Sequence, residues 1–302
     1  MTEMHNSPRV SIGMPVYNGE RYLGEALNSL LAQTFDDFEL IICDNASTDK
    51  TGQISRSFAA RDARIRYFRN SENLGAAQNY RRTFKLSSGE YFRWANCDDL
   101  FAPNSLECCV KVLDQKPSII LTYPKTKFID DKGQIISTCK DELQVISPKA
   151  SRRFFHTIAR LGYVNAIYGL MRAHVLRQTG LIRNFEGGDI VLVAELSLYG
   201  KFWQIPEFLF YRRLHPGAHS NCKDIAQIQE FFDPMTKGQI PLTVSRHLWA
   251  YFDSICRAPL SISEKMRLHF LLTRIGIWRR RQLLNEILEA IRHLINRFPL
   301  TF

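Results

Sequence analysis

The sequence predicts an α/β protein, with a mostly parallel sheet flanked by helices and a helical region at the C-terminus. Three observations carry this. Apolar runs of strand length alternate with helix-periodic segments through the first 125 residues. Turn-prone residues close each run. From about Pro241 the pattern is wholly helical. Strands separated by helices need crossover connections, which makes neighbouring strands parallel and puts helices on both faces.

Val10–Val16 is a short apolar run, ended by Pro15 and by the turn pair Asn18-Gly19. Arg21–Ala32 places Leu23, Leu27, Leu30 and Leu31 at helical spacing. Phe38–Cys43 reads as a buried strand stopped by Asp44-Asn45-Ala46-Ser47. Thr51–Ala60 is weakly helical, Ile65–Phe68 strand-like, Gly75–Lys85 helical and Tyr91–Ala95 a strand running into Asp98-Asp99. Ser105–Leu113 reads as a helix and Ile119–Tyr123 as a strand. Phe128–Ile136 suggests a hairpin around Asp131-Lys132-Gly133. Ile190–Tyr199 is expected to be an amphipathic helix, and Leu209–Leu214 a strand. A boundary is expected near residues 221–240, giving a domain over 1–225 and a helical extension over 226–302.

Composition narrows the class. The 302 residues are 45% hydrophobic and 23% charged, which describes a globular chain with a sizeable core. No run approaches the ~20 apolar residues of a membrane span, and residues 1–9 lack the apolar core of a secretory signal. The seven cysteines are scattered without a C-x-x-C pair. A disulfide framework and a zinc site are therefore not expected, and a reducing cytoplasm fits. The net charge of +10 suggests an acidic partner. Residues 261–302 carry Lys265 and seven arginines against three glutamates, half of that excess. No face combines arginines with exposed aromatics, so nucleic acid is not the expected partner.

Several motifs are absent. No G-x-G-x-x-G follows a strand, and there is no G-x-x-x-x-G-K-[ST], G-x-S-x-G or H-E-x-x-H. Instead acids stand at strand ends: Asp44 after the second, Asp98 and Asp99 after the fourth, and Asp189 before the Ile190–Tyr199 helix. Strand-end acids of one parallel sheet lie along one edge, where such sheets bind ligands. Adjacent carboxylates there suit a hard divalent cation bridging to substrate phosphates.

PVYNGERYL, ELIICDNASTDKT, ENLGAAQNY, YFRWANCDDLFAP and GGDIVLVAELSLYGKF occur in this order. Together they resemble a family 2 glycosyltransferase of the GT-A fold, over residues 8 to about 220. The stretches FFDP and RAPLSISEK resemble the tail of one bacterial subgroup. The resemblance implies a Rossmann-like sheet and an inverting enzyme. It would move a sugar from a nucleoside-diphosphate sugar donor to a sugar or lipid-linked acceptor, in cell-surface polysaccharide or glycolipid synthesis. Pro15, Val16 and Tyr17 would line the nucleobase pocket, with Asn18 shaping the loop and Asp44 bonding the base. The Asn73–Gly75 turn would approach ribose or diphosphate. Asp98 and Asp99 would hold Mg2+ or Mn2+, Asp189 would act as general base, and His215 would reach the metal or diphosphate.

The chain departs from that pattern at Asn96, where the D-x-D motif wants an acid. The amide can bond a ribose hydroxyl but cannot neutralise a metal. Gly188 stands where many relatives carry a glutamate before the base. Each residue also has a plainer reading: Asp44 as a turn former, Asp98-Asp99 as solvated turn acids, Asp189 as a helix N-cap and His215 as a surface turn residue. Asn96 leaves open a non-catalytic, sugar-nucleotide-binding scaffold of the same fold. The Ile277–Phe298 stretch has an apolar face with arginines at its margins. It reads equally as a helix on an anionic membrane surface, at the inner face of the plasma membrane, or as a packed subdomain.

Overall fold

A computed structural model describes residues 7–140, 143–217 and 224–297, with side chains described through 292. The chain runs β1 (Val10–Val16), α1 (Leu23–Leu31), β2 (Phe38–Asp44), α2 (Thr51–Ala59), β3 (Ile65–Arg69), α3 (Ala76–Lys85) and β4 (Tyr91–Trp94). A short β5 (Leu100–Phe101) precedes α4 (Ser105–Gln115), the long β6 (Ile119–Ile129) and β7 (Ile135–Thr138). Then come α5 (Ala150–Arg160), β8 (Leu170–Arg172), α6 (Ala173–Leu176), α7 (Gly188–Tyr199) and β9 (Lys201–Arg213). The remainder is helical: α8 (Ile225–Phe232), α9 (Thr243–Arg257), α10 (Ile262–Trp278) and α11 (Arg280–Arg297).

The sheet order is β3-β2-β1-β4-β8-β6-β9-β5, with β7 beside β6. β1 lies parallel between β2 and β4, with Val10 opposite both Phe38 and Tyr91. β8 opposes both of its neighbours, so β6, and β9 parallel to it, again run with β4. β1, β2, β4 and β9 therefore present their carboxyl ends along one edge. β6 and β9 are longer than the expected Ile119–Tyr123 and Leu209–Leu214, and they run through Pro124 and Pro206. The strands pass both prolines by bulging: Pro124 pairs with Ile205 but Lys125 pairs with Phe208.

Two apolar layers sandwich the sheet. One packs Leu23, Leu27, Leu106 and Leu113 under Ile12 and Leu40. The other packs Phe84, Phe92, Trp94, Leu192 and Leu196. A third joins Val191, Ala194 and Leu198 of α7 to Phe154 of α5, Tyr251 and Ile255 of α9 and Leu268 of α10. Here the structure corrects an expectation. α7 is not amphipathic: every residue from Val191 to Leu198 is buried. The sheet covers one side, and α5 and α9 cover the other. Trp94 and Trp203 both serve packing, Trp94 inside the sheet's second layer and Trp203 at the edge of the first.

Burying α7 all round requires partners for its polar groups. Arg153 of α5 donates to the carbonyls of Ser197 and Leu198, which lie in the last turn and have no partner within the helix. Glu195, fully buried, accepts from Arg257 of α9 at 2.8 Å and from the Gly180 amide at 3.0 Å. Arg257 and Arg183 in turn share Asp253. Removing one partner of a buried pair strands the other charge, at up to about 3–5 kcal/mol for a full burial. Arg257→Leu is expected to lower the unfolding midpoint strongly, and Glu195→Leu with Arg257→Leu to recover most of the loss. Chemical denaturation of both variants checks this. A double variant as unstable as the single one would mean that packing, not the stranded carboxylate, sets the cost.

Candidate active site

A cleft of about 1810 Å³ runs along the carboxyl edge of the sheet. Its first wall is the loop after β1, where Pro15, Val16, Tyr17 and Asn18 all line it. Asn18 takes a left-handed φ of 49°. Its amide donates to Ser47 Oγ at 2.9 Å, and its side-chain oxygen accepts from the Thr48 amide at 2.8 Å. The loops after β1 and β2 are thereby tied together, leaving the Tyr17 ring half exposed in the cleft.

Asp44 ends β2. It is fully buried and outside the cleft lining. One oxygen accepts from the Ser47 amide at 2.8 Å; the other accepts from Tyr67 Oη and Arg69 Nη1, each at 2.7 Å. Burial pushes its pKa up, but these donors outweigh it and hold the carboxyl below its ordinary range. The neighbouring Asn45 lines the cleft and donates to Asn73 Oδ1 at 2.6 Å. Asn73 is thus held at the cleft wall. Gly75 is not part of it. With φ of 80°, its Cβ position would lie 2.6 Å from the Phe232 carbonyl, so this glycine lets α3 and the end of α8 meet.

The loop after β4 carries Asn96, Asp98 and Asp99, all lining the cleft. Asn96 donates to Tyr168 Oη at 2.7 Å and to Asp99 Oδ2 at 3.2 Å, and accepts from Tyr80 Oη. Asp99 is turned inward, its other oxygen accepting from the Arg213 amide at 2.9 Å. Burial, with Asp98 adjacent, raises its pKa. Asp98 faces the cleft, with Oδ2 3.1 Å from His215 Nε2. The His215 ring packs 4.9 Å from that of Tyr22.

Among the described residues no group of three or more His, Cys, Asp or Glu stands ready to hold a metal ion. The expected trio of Asp98, Asp99 and His215 is instead a facing pair, Asp98 and His215, with Asp99 bonded behind it. A carboxylate oxygen and an imidazole nitrogen suit a divalent cation whose other ligands are phosphate oxygens.

Asp189 lines the same cleft. The helix cap is Gly187, with φ of 81°, so Asp189 lies inside the first turn and is not the N-cap. Its Oδ1 accepts from the Ile190 amide at 2.9 Å. An acid in a first turn is favoured by the helix dipole, yet burial dominates and raises its pKa.

Sequence reasoning missed four cleft residues. Tyr80 and Tyr168 hold Asn96 from two sides. Arg212 donates to the Tyr163 carbonyl and to Asn165 Oδ1. Burial opposes its charge, but Tyr168, Asp99, Asp98 and Asp189 around it outweigh that and keep it protonated. His247 of α9 sits against Gly187, where a Cβ would come 2.4 Å from its Nε2. The tandem Arg212-Arg213 just before His215 is the local signal for Arg212, and both arginines line the cleft.

A mostly parallel sheet with such a cleft at its carboxyl edge, acids at strand ends and helices at the C-terminus has the architecture of GT-A glycosyltransferases. The chain belongs to glycosyl transferase family 2, whose sequence pattern it matches over residues 11–168. An uncharacterized glycosyltransferase of Rickettsia typhi is 28% identical over 232 residues, covering 74% of this chain and 70% of the relative. One from Rickettsia conorii is 39% identical over 137 residues, 44% of this chain but 22% of that longer relative. Among solved structures, residues 1–349 of Staphylococcus aureus TarS, in complex with UDP-GlcNAc, superpose with a TM-score of 0.66. The identity is 18%, and the match covers 92% of this chain and 79% of that one. The mannosyltransferase PcManGT of Pyrobaculum calidifontis, with GDP-Man and Mn2+, gives 0.53 at 15% identity, covering 98% and 89%. At these identities the likeness is one of fold. No described helix is long and apolar enough to cross a membrane.

Proposed function

We propose that this glycosyltransferase moves a sugar from a nucleoside-diphosphate sugar to an acceptor hydroxyl with inversion at the anomeric carbon. The observation that carries the reading is the meeting, in one cleft, of the Asp98–His215 pair and the carboxylate of Asp189. The acceptor oxygen bonds the anomeric carbon as the bond from that carbon to the diphosphate oxygen breaks. The hydroxyl proton passes to Asp189, and the nucleoside diphosphate leaves. One carboxylate suffices for this, because a single displacement needs a base and no nucleophile.

The other residues bind and orient. Pro15, Val16 and Tyr17 offer an apolar face for the base, and Asn73 a polar edge for the ribose. Arg212 brings a held positive charge towards the diphosphate. Asp98 and His215 would hold Mg2+ or Mn2+, which when bound neutralises charge on the departing diphosphate. The nucleotide sugars bound by the two solved relatives support this donor class. Asn96 suits a positioning role, bonded as it is to Tyr80, Tyr168 and Asp99, and so weighs little for a non-catalytic scaffold.

In this reading residues 1–225 form the transferase domain and 226–302 a helical extension. The chain acts in cell-surface polysaccharide or glycolipid synthesis on a sugar or lipid-linked acceptor, at the inner face of the plasma membrane. The membrane contact assigned to Ile277–Phe298 draws on the exposed Leu284, Ile287 and Leu288. Phe298 lies outside the described residues.

Thermal unfolding against nucleoside diphosphates and nucleotide sugars, with and without Mn2+, tests the donor site. A ligand at ~100 times its dissociation constant adds about 2.7 kcal/mol. One nucleobase series should raise the midpoint, and more so with Mn2+. A folded sample that responds to no nucleotide would sink the reading.

A further inference from the structure

The cleft does not stop at Asp189. Beyond it the wall is built by helices: Phe155 and Ile158 of α5, Val244 and Leu248 of α9, and Ile275 and Trp278 of α10. These six side chains are apolar, and they share the wall with Thr243, His247 and Tyr251. Trp278 lines the cleft and is still 78% exposed, so it stands at the mouth. Arg279, also in the wall, has its guanidinium carbon 5.9 Å from the Trp278 ring centre.

Outside the mouth the apolar surface continues. Ile277 is exposed, and so are Leu284, Ile287, Leu288 and Ile291, spaced three or four apart along one face of α11. Arg279, Arg280 and Arg281 are exposed at the α10–α11 junction. Among the described residues none of the three has a carboxylate partner. An apolar trough that opens from the Asp189 carboxylate onto an apolar helix face rimmed by exposed arginines matches an amphiphile lying at an anionic surface.

We infer that this end of the cleft is the acceptor subsite, and that it takes an acceptor carried on a hydrocarbon tail presented by an anionic bilayer. The inference rests on the transferase reading, which places the acceptor hydroxyl at Asp189. The tail lies along the wall that α5, α9 and α10 form and leaves past Trp278. Arg279 faces the phosphate or headgroup at the water boundary.

The test titrates the full chain by calorimetry with methyl, hexyl, octyl and decyl β-glucosides, each below its micelle concentration. A tail that enters the trough should tighten binding about fourfold per buried methylene, the ratio set by ~0.8 kcal/mol each. Trp278→Glu, at an exposed position, should flatten the series while the nucleotide-induced rise in unfolding midpoint persists. Affinity independent of tail length would overturn the inference. So would a series unchanged in Trp278→Glu but lost in Leu284→Glu with Leu288→Glu, because the tail would then lie on α11. A wild-type chain that answers to no nucleoside diphosphate overturns the transferase reading, and with it the assignment of an acceptor, whatever the tail series does.

Discussion

Asp189→Asn should lower sugar transfer by ~10²–10⁴-fold, the usual worth of a positioned base, and leave nucleoside-diphosphate binding unchanged. Asn keeps the size of the side chain and can still accept from the Ile190 amide, but it cannot take a proton. Two further signatures separate a base from a structural residue. Burial raises the Asp189 pKa, and the ionised form is the active one. The wild-type rate should therefore climb with pH along a limb above the ordinary ~3.9 of an aspartate. The stability effect has a definite sign. Between the unfolded and the raised folded pKa the native state binds more protons, so stability falls as pH rises through that window. The Asn variant lacks this cost and should be the more stable protein above it. Wild-type transfer by Asp189→Asn, or a pH limb at the ordinary aspartate value, would end the assignment.

Asp98→Asn should remove the metal-dependent part of nucleotide binding and, with it, transfer. The distinction from Asp189 is the readout. Here the thermal shift with nucleotide and Mn2+ should fall to the level seen with nucleotide alone. A tenfold loss in affinity corresponds to about 1.4 kcal/mol of lost stabilisation. His215→Ala should act in the same direction, since its Nε2 faces the same carboxylate oxygen at 3.1 Å. Asp99 is bonded inward to Asn96 and the Arg213 amide. Its replacement should show first as lost stability. A wild-type shift indifferent to Mn2+ would dispose of the metal assignment for Asp98 and His215.

The sheet was legible because its signals are local. Val10–Val16 and Phe38–Asp44 are apolar runs with turn residues behind them, and the structure keeps them within one residue of the expected bounds. β8 was missed because three residues show no alternation. α5 was missed because ASRRFFHTIAR is polar and basic, and its buried Arg153 is explained only by the end of a helix distant in sequence. α7 was misjudged because its covering helix α9 lies some 50 residues downstream. The site divides in the same way. Asp98 and Asp189 stand out as acids at element ends. Tyr80, Tyr168, Arg212 and His247 gain their roles from where β8, β9 and α9 cross the sheet, which no local pattern reports. Asp44 was legible as a strand-end acid, but its neighbours Tyr67 and Arg69 on β3 determine where its carboxylate points.

Arg213 bears on the timing of folding. Its guanidinium donates to the carbonyls of Asp98, Asp130 and Asp131 and to Glu25, 188 positions away in the chain. Its amide also fixes Asp99. Contacts of such sequence separation form late, since the loop must close before they reward it. At ~5–20 residues per second, a ribosome takes roughly 5–20 seconds to travel from β5 to Arg213. Throughout that interval the β1–β4 layer can assemble while the catalytic edge stays open, with Asp98 and Asp99 exposed to water. On the ribosome the β1–β4 layer can thus precede the edge that carries Asp98 and Asp99.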